Sequence, residues 1–167
     1  MMRMLLNMRK RTGRGIVDEL KQTRPFATKA QEATVALLRT TDVVRRRLAR
    51  LVEQHGITLQ QYNVLRILRG AGGEPMSALE IAERLIEETP GVSRLLDRLV
   101  VKKLIQRERC SQDRRRLECA ITAKGLELLA RLDEPVLAAD SGAMDGLTAR
   151  EVATLNDLLT RIRQRNQ

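Results

Sequence analysis

Aromatic side chains are almost absent: the 167 residues hold no tryptophan, one tyrosine and one phenylalanine. Any core must therefore be built from Leu, Ile, Val and Ala, and these recur at helical spacing. Cysteine is nearly as scarce. Cys110 and Cys119 are too few for a disulfide scaffold and fit a reduced, cytoplasmic location. A single histidine, His55, leaves little for a metal site, and no His/Cys/Asp set has metal spacing. There is no nucleophile elbow and no phosphate loop, so the chain reads as a non-enzyme without cofactor. No run approaches the ~20 apolar residues of a membrane helix, and the start MMRMLLNM is too short for a secretory core. Met8 is as good an initiator as Met1, which would make residues 1–7 a leader.

What is abundant is positive charge. The formal net charge is +10 and the sequence pI about 10.7, pointing first to nucleic acid. Residues 1–50 carry 13 Lys/Arg against 4 Asp/Glu, and residues 58–125 carry 13 against 9. Residues 1–27, broken by Gly13, Gly15 and Pro25, read as a basic arm with one helical turn near Ile16–Lys21. The arm either adds nonspecific affinity or is a solvated tail.

From Thr28 to His55 the helical period is sustained, with Val35, Leu38, Val44, Leu48 and Leu51 on one face and Gly56 as a stop. Three capping boxes follow: Thr58 with Gln61, Ser77 with Glu80, and Thr148 with Glu151. Thr89-Pro90 supplies a further start. These signals predict helices near 59–70, 78–85 and 89–102, with a glycine-free turn at Ile86-Glu87-Glu88. A short helix, a tight turn and a second helix carrying Arg94 and Arg98 on one face is a helix-turn-helix. Leu104–Arg109 and Leu117–Ile121 then alternate around the basic segment Ser111–Arg116, which predicts a β-hairpin, or wing. On its second strand Leu117, Cys119 and Ile121 are expected to face inward. A helix restarts at Thr122, with Leu126, Leu129, Leu132, Val136 and Leu137 as its apolar positions and Pro135 as a place to kink. Gly142 and Gly146 mark a loop. The last helix, 149–163, aligns Val152, Leu155, Leu158, Leu159 and Ile162.

In such a motif the first residues of the second helix reach base edges in the major groove. Here they are Thr89, Pro90, Gly91, Ser93 and Arg94, with Arg98 one turn on. Arg94 has the fork that pairs with guanine O6 and N7. Ser77, at the start of the first helix of the motif, joins them as a DNA contact. Arg114, Arg115 and Arg116 on the hairpin tip suit a minor groove, with Asp113 steadying one of them.

The segments ITLQQYNVLRIL, SALEIAERL, TPGVSRLLDRLVVKKLIQRER and DRRRLECAITAKG make the chain resemble the MarR family from Ile57 to Gly125, and more loosely from Thr28 to Gln164. The resemblance implies a mainly α fold with a small β wing, a winged helix-turn-helix with N- and C-terminal dimerisation helices. It assigns residues 28–56 and 126–167 to dimerisation and 57–125 to DNA binding. Thr89–Arg98 would be the recognition helix and Arg114–Arg116 the wing tip. Two features depart from the pattern: Lys103 replaces the usual glycine, which suggests a frayed helix end or a less tight turn, and Val100 and Val101 replace polar residues.

The expected function is a homodimeric regulator, a repressor binding a palindromic operator in double-stranded DNA and released by a small aromatic or anionic effector. His55, Tyr62 and Arg66 are the effector-site candidates, His55 being also a helix-end cap and Tyr62 also a core residue. The apolar stripes at 35–51 and 152–162 are more than one small domain covers, which argues for the dimer. The alternative is a helical protein-interaction module whose positive charge serves an acidic partner or a membrane, which has no need of the basic hairpin tip.

Overall fold

The computed structural model describes residues 15–88, 90–109 and 117–166. Its contacts divide the chain into two compact units, one ending at Arg45 and one beginning at Arg46. The first holds α1 (Ile16–Glu19) and most of α2 (Lys29–Glu53), tied together by Glu19 accepting from Arg39 Nε at 2.8 Å. Leu38 and Val43 on α2 remain 66% and 46% exposed.

The second unit contains the end of α2, then α3 (Leu59–Gly70), β1 (Met76–Ser77), α4 (Ala78–Glu83) and α5 (Val92–Val101). These are followed by β2 (Ile105–Arg109), β3 (Leu117–Ile121), α6 (Ala123–Ala143) and α7 (Ala149–Gln164). The expected capping boxes close α3, α4 and α7, with both halves formed at Thr58/Gln61, Ser77/Glu80 and Thr148/Glu151. Thr122 caps α6 by accepting from Gly125 N. One aliphatic cluster joins Val64, Leu65 and Leu68 of α3, Ile81 of α4, Leu95, Leu96 and Leu99 of α5, and Leu128, Leu129 and Leu132 of α6. Each such buried leucine contributes roughly 1.5–3 kcal/mol. The three leucines of α5 therefore fix which of its faces turns outward.

The strands form one antiparallel sheet in the order β1-β3-β2, with Met76 opposite Cys119 and Arg107 opposite Cys119 on the other side. The hairpin was expected; β1 was not. Two residues carry no periodicity, yet they stitch the entrance of α4 to the wing.

Several boundaries differ from the sequence reading. α4 ends at Glu83, and α5 begins at Val92 instead of Thr89. Gly91 is the reason: at φ 84 it takes the left-handed conformation, so no right-handed helix can run back through it to Pro90. The turn thus contains a glycine after all. At the other end α5 does not fray. Lys103 adopts φ 60, its N–H reaches Val100 O at 2.8 Å, and Leu104 N–H reaches Leu99 O at 3.0 Å. That is a complete Schellman closure with lysine in the glycine position. Leu117, Leu126 and Leu137 are 52%, 43% and 65% exposed. The inward row of α6 runs instead through Leu128, Leu129, Leu132, Val136 and Ala139. On β3 the buried position is Cys119, while Leu117 stands at the strand's outer end. α6 runs unbroken through Pro135 and includes Gly142, so the turn falls at Gly146.

Candidate nucleic-acid interface

The helix-turn-helix is α4, residues 84–91 and α5. Five helices are capped by a Ser or Thr hydroxyl, namely α2, α3, α4, α6 and α7. α5 is not: its N-cap is Gly91, with no side-chain hydrogen bond. Among the described residues the first N–H groups of α5 therefore have no side-chain acceptor, at the positive end of the helix dipole. Such an end suits a phosphate oxygen.

Pro90, Gly91, Ser93, Arg94 and Arg98 are all exposed. Arg94 and Arg98 stand one turn apart on the face opposite the buried leucines. With Gln60, Pro90, Gly91 and Leu95 they wall a recess of about 410 Å³. Among the described residues neither arginine has an ion-pair partner, so both guanidiniums are open to an external acceptor. Ser77 is differently placed. Its hydroxyl exchanges hydrogen bonds with Glu80, donating to Oε2 at 2.6 Å, and its backbone belongs to β1. Thr89 and the hairpin tip with Arg114, Arg115 and Arg116 lie outside the described residues, as does Cys110.

Two ion pairs tie different elements of this unit together, and the sequence reading missed both. Arg107 of β2 donates from Nη1 to Asp97 Oδ1 and from Nη2 to Ser93 O at 3.3 Å, joining the wing strand to α5. Arg69 of α3 donates through both Nη atoms to the Asp133 carboxylate of α6, each at 2.8 Å. Hydrogen bonding from Arg69 holds the Asp133 carboxyl below the usual aspartate range. No local pattern announces either pair, because the partners are far apart in sequence or on different elements. The Cys119 thiol is buried, and burial pushes its pKa up, with Arg107 pulling it partly back.

Of the effector candidates, Tyr62 and Arg66 are brought together. His55 is exposed in the turn after α2. Tyr62 is 6% exposed in the core, with the Arg66 guanidinium 5.9 Å from its ring centroid. None of the three walls the cleft of about 480 Å³ nearby, which is lined by Glu53, Ile57, Gln61, Asp97, Arg98 and Val101 among others. Val101 is 81% exposed there, so the apolar departure at this position produces an apolar cleft wall. Among the described residues there is no cluster of His, Cys, Asp and Glu fit to hold a metal ion. Nor is any helix among them long and apolar enough to cross a membrane.

Known proteins share this arrangement. A sequence profile of the MarR family matches residues 55–116. A MarR transcription factor from Planctomyces limnophilus is 37% identical over 81% of this chain and 98% of its own, with a TM-score of 0.63. A MarR mutant from E. coli, solved in complex with operator DNA, is 26% identical over 76% of this chain and 90% of its own, with a TM-score of 0.70. BpsR of Bordetella bronchiseptica, whose DNA binding is regulated by 6-hydroxynicotinic acid, shares the fold at 19% identity, covering 84% of this chain and 98% of its own, with a TM-score of 0.73. The helix-turn-helix with its outward arginines, the hairpin behind it and the likeness along most of the chain converge: this protein belongs to the MarR family of winged-helix, DNA-binding transcription regulators.

Proposed function

We propose that the chain is a homodimeric repressor that binds a palindromic operator in double-stranded DNA and leaves it when a small aromatic or anionic effector binds. The observation that carries the reading is the glycine-capped start of α5, with Arg94 and Arg98 exposed behind it and without ion-pair partners among the described residues. In this reading Arg94 reads a base edge and Arg98 positions on phosphate. Thr89, Pro90, Gly91 and Ser93 allow the close approach, and Ser77 meets the backbone from the start of α4. Arg114, Arg115 and Arg116 enter the minor groove. The operator complex of the E. coli relative supports a DNA target of this kind.

Residues 28–56 and 126–167 serve dimerisation, and 57–125 read DNA. In favour of a dimer, Leu38 of α2, Leu137 of α6, and Leu158 and Ile162 of α7 are each at least 46% exposed, and none of α7 is buried. Large apolar side chains in such number are what an interface covers. Two copies would present α5 to half-sites about 10 base pairs apart. The effector is a proposal by analogy with BpsR. His55, Tyr62 and Arg66 remain its candidate contacts, and the cleft beside α5, which none of them lines, is a separate place for it.

Sedimentation and selection test this together. Purified protein should sediment as a dimer at micromolar concentration and enrich a two-fold symmetric site from fragmented genomic DNA. A concentration-independent monomer, or enrichment without a shared sequence, would contradict the reading.

A further inference from the structure

The side chain of Arg107 faces neither solvent nor the outer surface of the wing. It reaches from the middle of β2 to α5, where it engages Asp97 Oδ1 and Ser93 O. Ser93 O is a helix carbonyl that points toward the next turn, so it lies beside the side chain of Asp97 on one face of the helix. A guanidinium is a rigid planar fork, and a fork seated on one backbone carbonyl and one carboxylate of the same helix face restrains both rotation and sliding of the helix. The Arg107 side chain is only 21% exposed, and its Nε is buried with no hydrogen-bond partner among the described residues. Cys119 stands opposite it on β3 and is buried.

Arg94 and Arg98 each follow an anchored residue directly in sequence, Ser93 and Asp97. The strut therefore acts on the two turns of α5 that carry the outward arginines. We propose that Arg107 is a specificity-determining positioning residue. It locks α5 to the wing so that the base-reading side chains meet the groove in one register, without touching DNA itself. This rests on the DNA-reading role of α5 proposed above. The chemistry predicts a distinctive failure: losing the strut leaves every phosphate-seeking cation in place but lets the helix turn and slide.

The test uses the full chain with Arg107→Met, Arg107→Lys, Asp97→Asn, and the exchange Asp97→Arg with Arg107→Asp. An operator is first obtained with the wild type by selection from random duplexes. Binding to it and to a scrambled duplex is then measured across a salt series. Arg107→Met should lose about tenfold or more on the operator, the scale of one good base contact, and under about twofold on the scrambled duplex. Its salt dependence should match the wild type, because no phosphate contact is lost. Arg107→Lys, whose ammonium cannot span both acceptors, should fall between. The exchange should recover part of the preference.

Amide hydrogen exchange without DNA gives a readout independent of binding. Arg107→Met should speed exchange in 93–98 and 105–109 while α3 and α6 keep their protection. Unchanged exchange there, or full operator preference in Arg107→Met, would overturn the proposal. Equal losses on both duplexes with a shallower salt slope would also overturn it, by showing a direct phosphate contact. A wild type that selects no operator would instead bring down the DNA reading beneath it, even with the exchange result as expected.

Discussion

Replacing Gly125 by alanine should destabilise the protein, although alanine is the better helix former. Gly125 is the third residue of α6, where the chain passes over the end of α5. A Cβ built there falls well inside contact distance of Leu104 O and 2.7 Å from Ile121 Cγ1. Leu104 O cannot easily retreat, since it accepts the Thr122 N–H at 3.1 Å while Thr122 Oγ1 donates to Lys103 O at 2.8 Å. Forcing a methyl into a packed site costs typically 1–3 kcal/mol, roughly. Losing the Thr122–Leu104 bond adds about 1–3 kcal/mol if its partners stay buried. Against this, the gain in helix propensity is at most about 1 kcal/mol. The net expectation is a loss of about 2–4 kcal/mol, or roughly 5–15 °C in Tm for a chain of this size. Urea denaturation followed by circular dichroism, at one fixed protein concentration, measures it. The control is Gly142→Ala, also in α6, whose Cβ would have as its nearest neighbours the far end of the long Arg47 side chain, with Nη2 at 2.8 Å. That change should stay within about 1 kcal/mol of the wild type. If Gly125→Ala were as stable as Gly142→Ala, the steric account of this glycine would be wrong.

Lys103→Gly should stabilise by up to about 1 kcal/mol, since relief of the left-handed strain, roughly 1–2 kcal/mol, exceeds the extra unfolded freedom of glycine; a lower Tm would contradict the Schellman closure. Asp133→Asn should cost under about 1 kcal/mol near neutral pH, because the pair with Arg69 is half exposed. Since pairing lowers the folded-state pKa of Asp133, its contribution exists above the ordinary aspartate value and vanishes as pH falls through the lowered one. Parallel pH–stability curves for wild type and variant across acid pH would refute this. In a Cys110→Ser background, Cys119, buried at 1% exposure, should react with a thiol reagent only on unfolding. Stoichiometric labelling of the native protein would show that the wing opens.

Local signals made much of the fold legible in the sequence. Thr58, Ser77, Thr122 and Thr148 each start a helix where the pattern places one, because a hydroxyl followed three residues later by its partner is short-range chemistry. The wing strands were legible for the same reason, through alternation over five residues each. Thr89-Pro90 misled because a Thr-Pro start competes with a glycine just behind it, and the left-handed Gly91 won. Lys103 misled in the other direction: residue preference suggested fraying, while burial of Leu99 and Leu104 across the turn pulls lysine into a strained conformation. Leu126 and Leu137 share the apolar period of α6 but lie at its margin, which spacing alone does not separate from the buried row. The Arg107–Asp97 and Arg69–Asp133 pairs were invisible, since only the assembled fold brings their partners together. Of the candidate site, Arg94 and Arg98 stand outward as their spacing implied.

The most direct test of the account is a comparison of two affinities, each for two proteins, at physiological salt. Wild type and Arg94→Ala are titrated by fluorescence anisotropy against an operator recovered by selection and against a scrambled duplex of equal length. The account predicts that the wild type prefers the operator by about 10³-fold or more. Arg94→Ala should give up about tenfold or more of that preference while holding the scrambled duplex nearly as well. Equal affinity of the wild type for both duplexes would contradict it, and so would a preference untouched by the loss of Arg94.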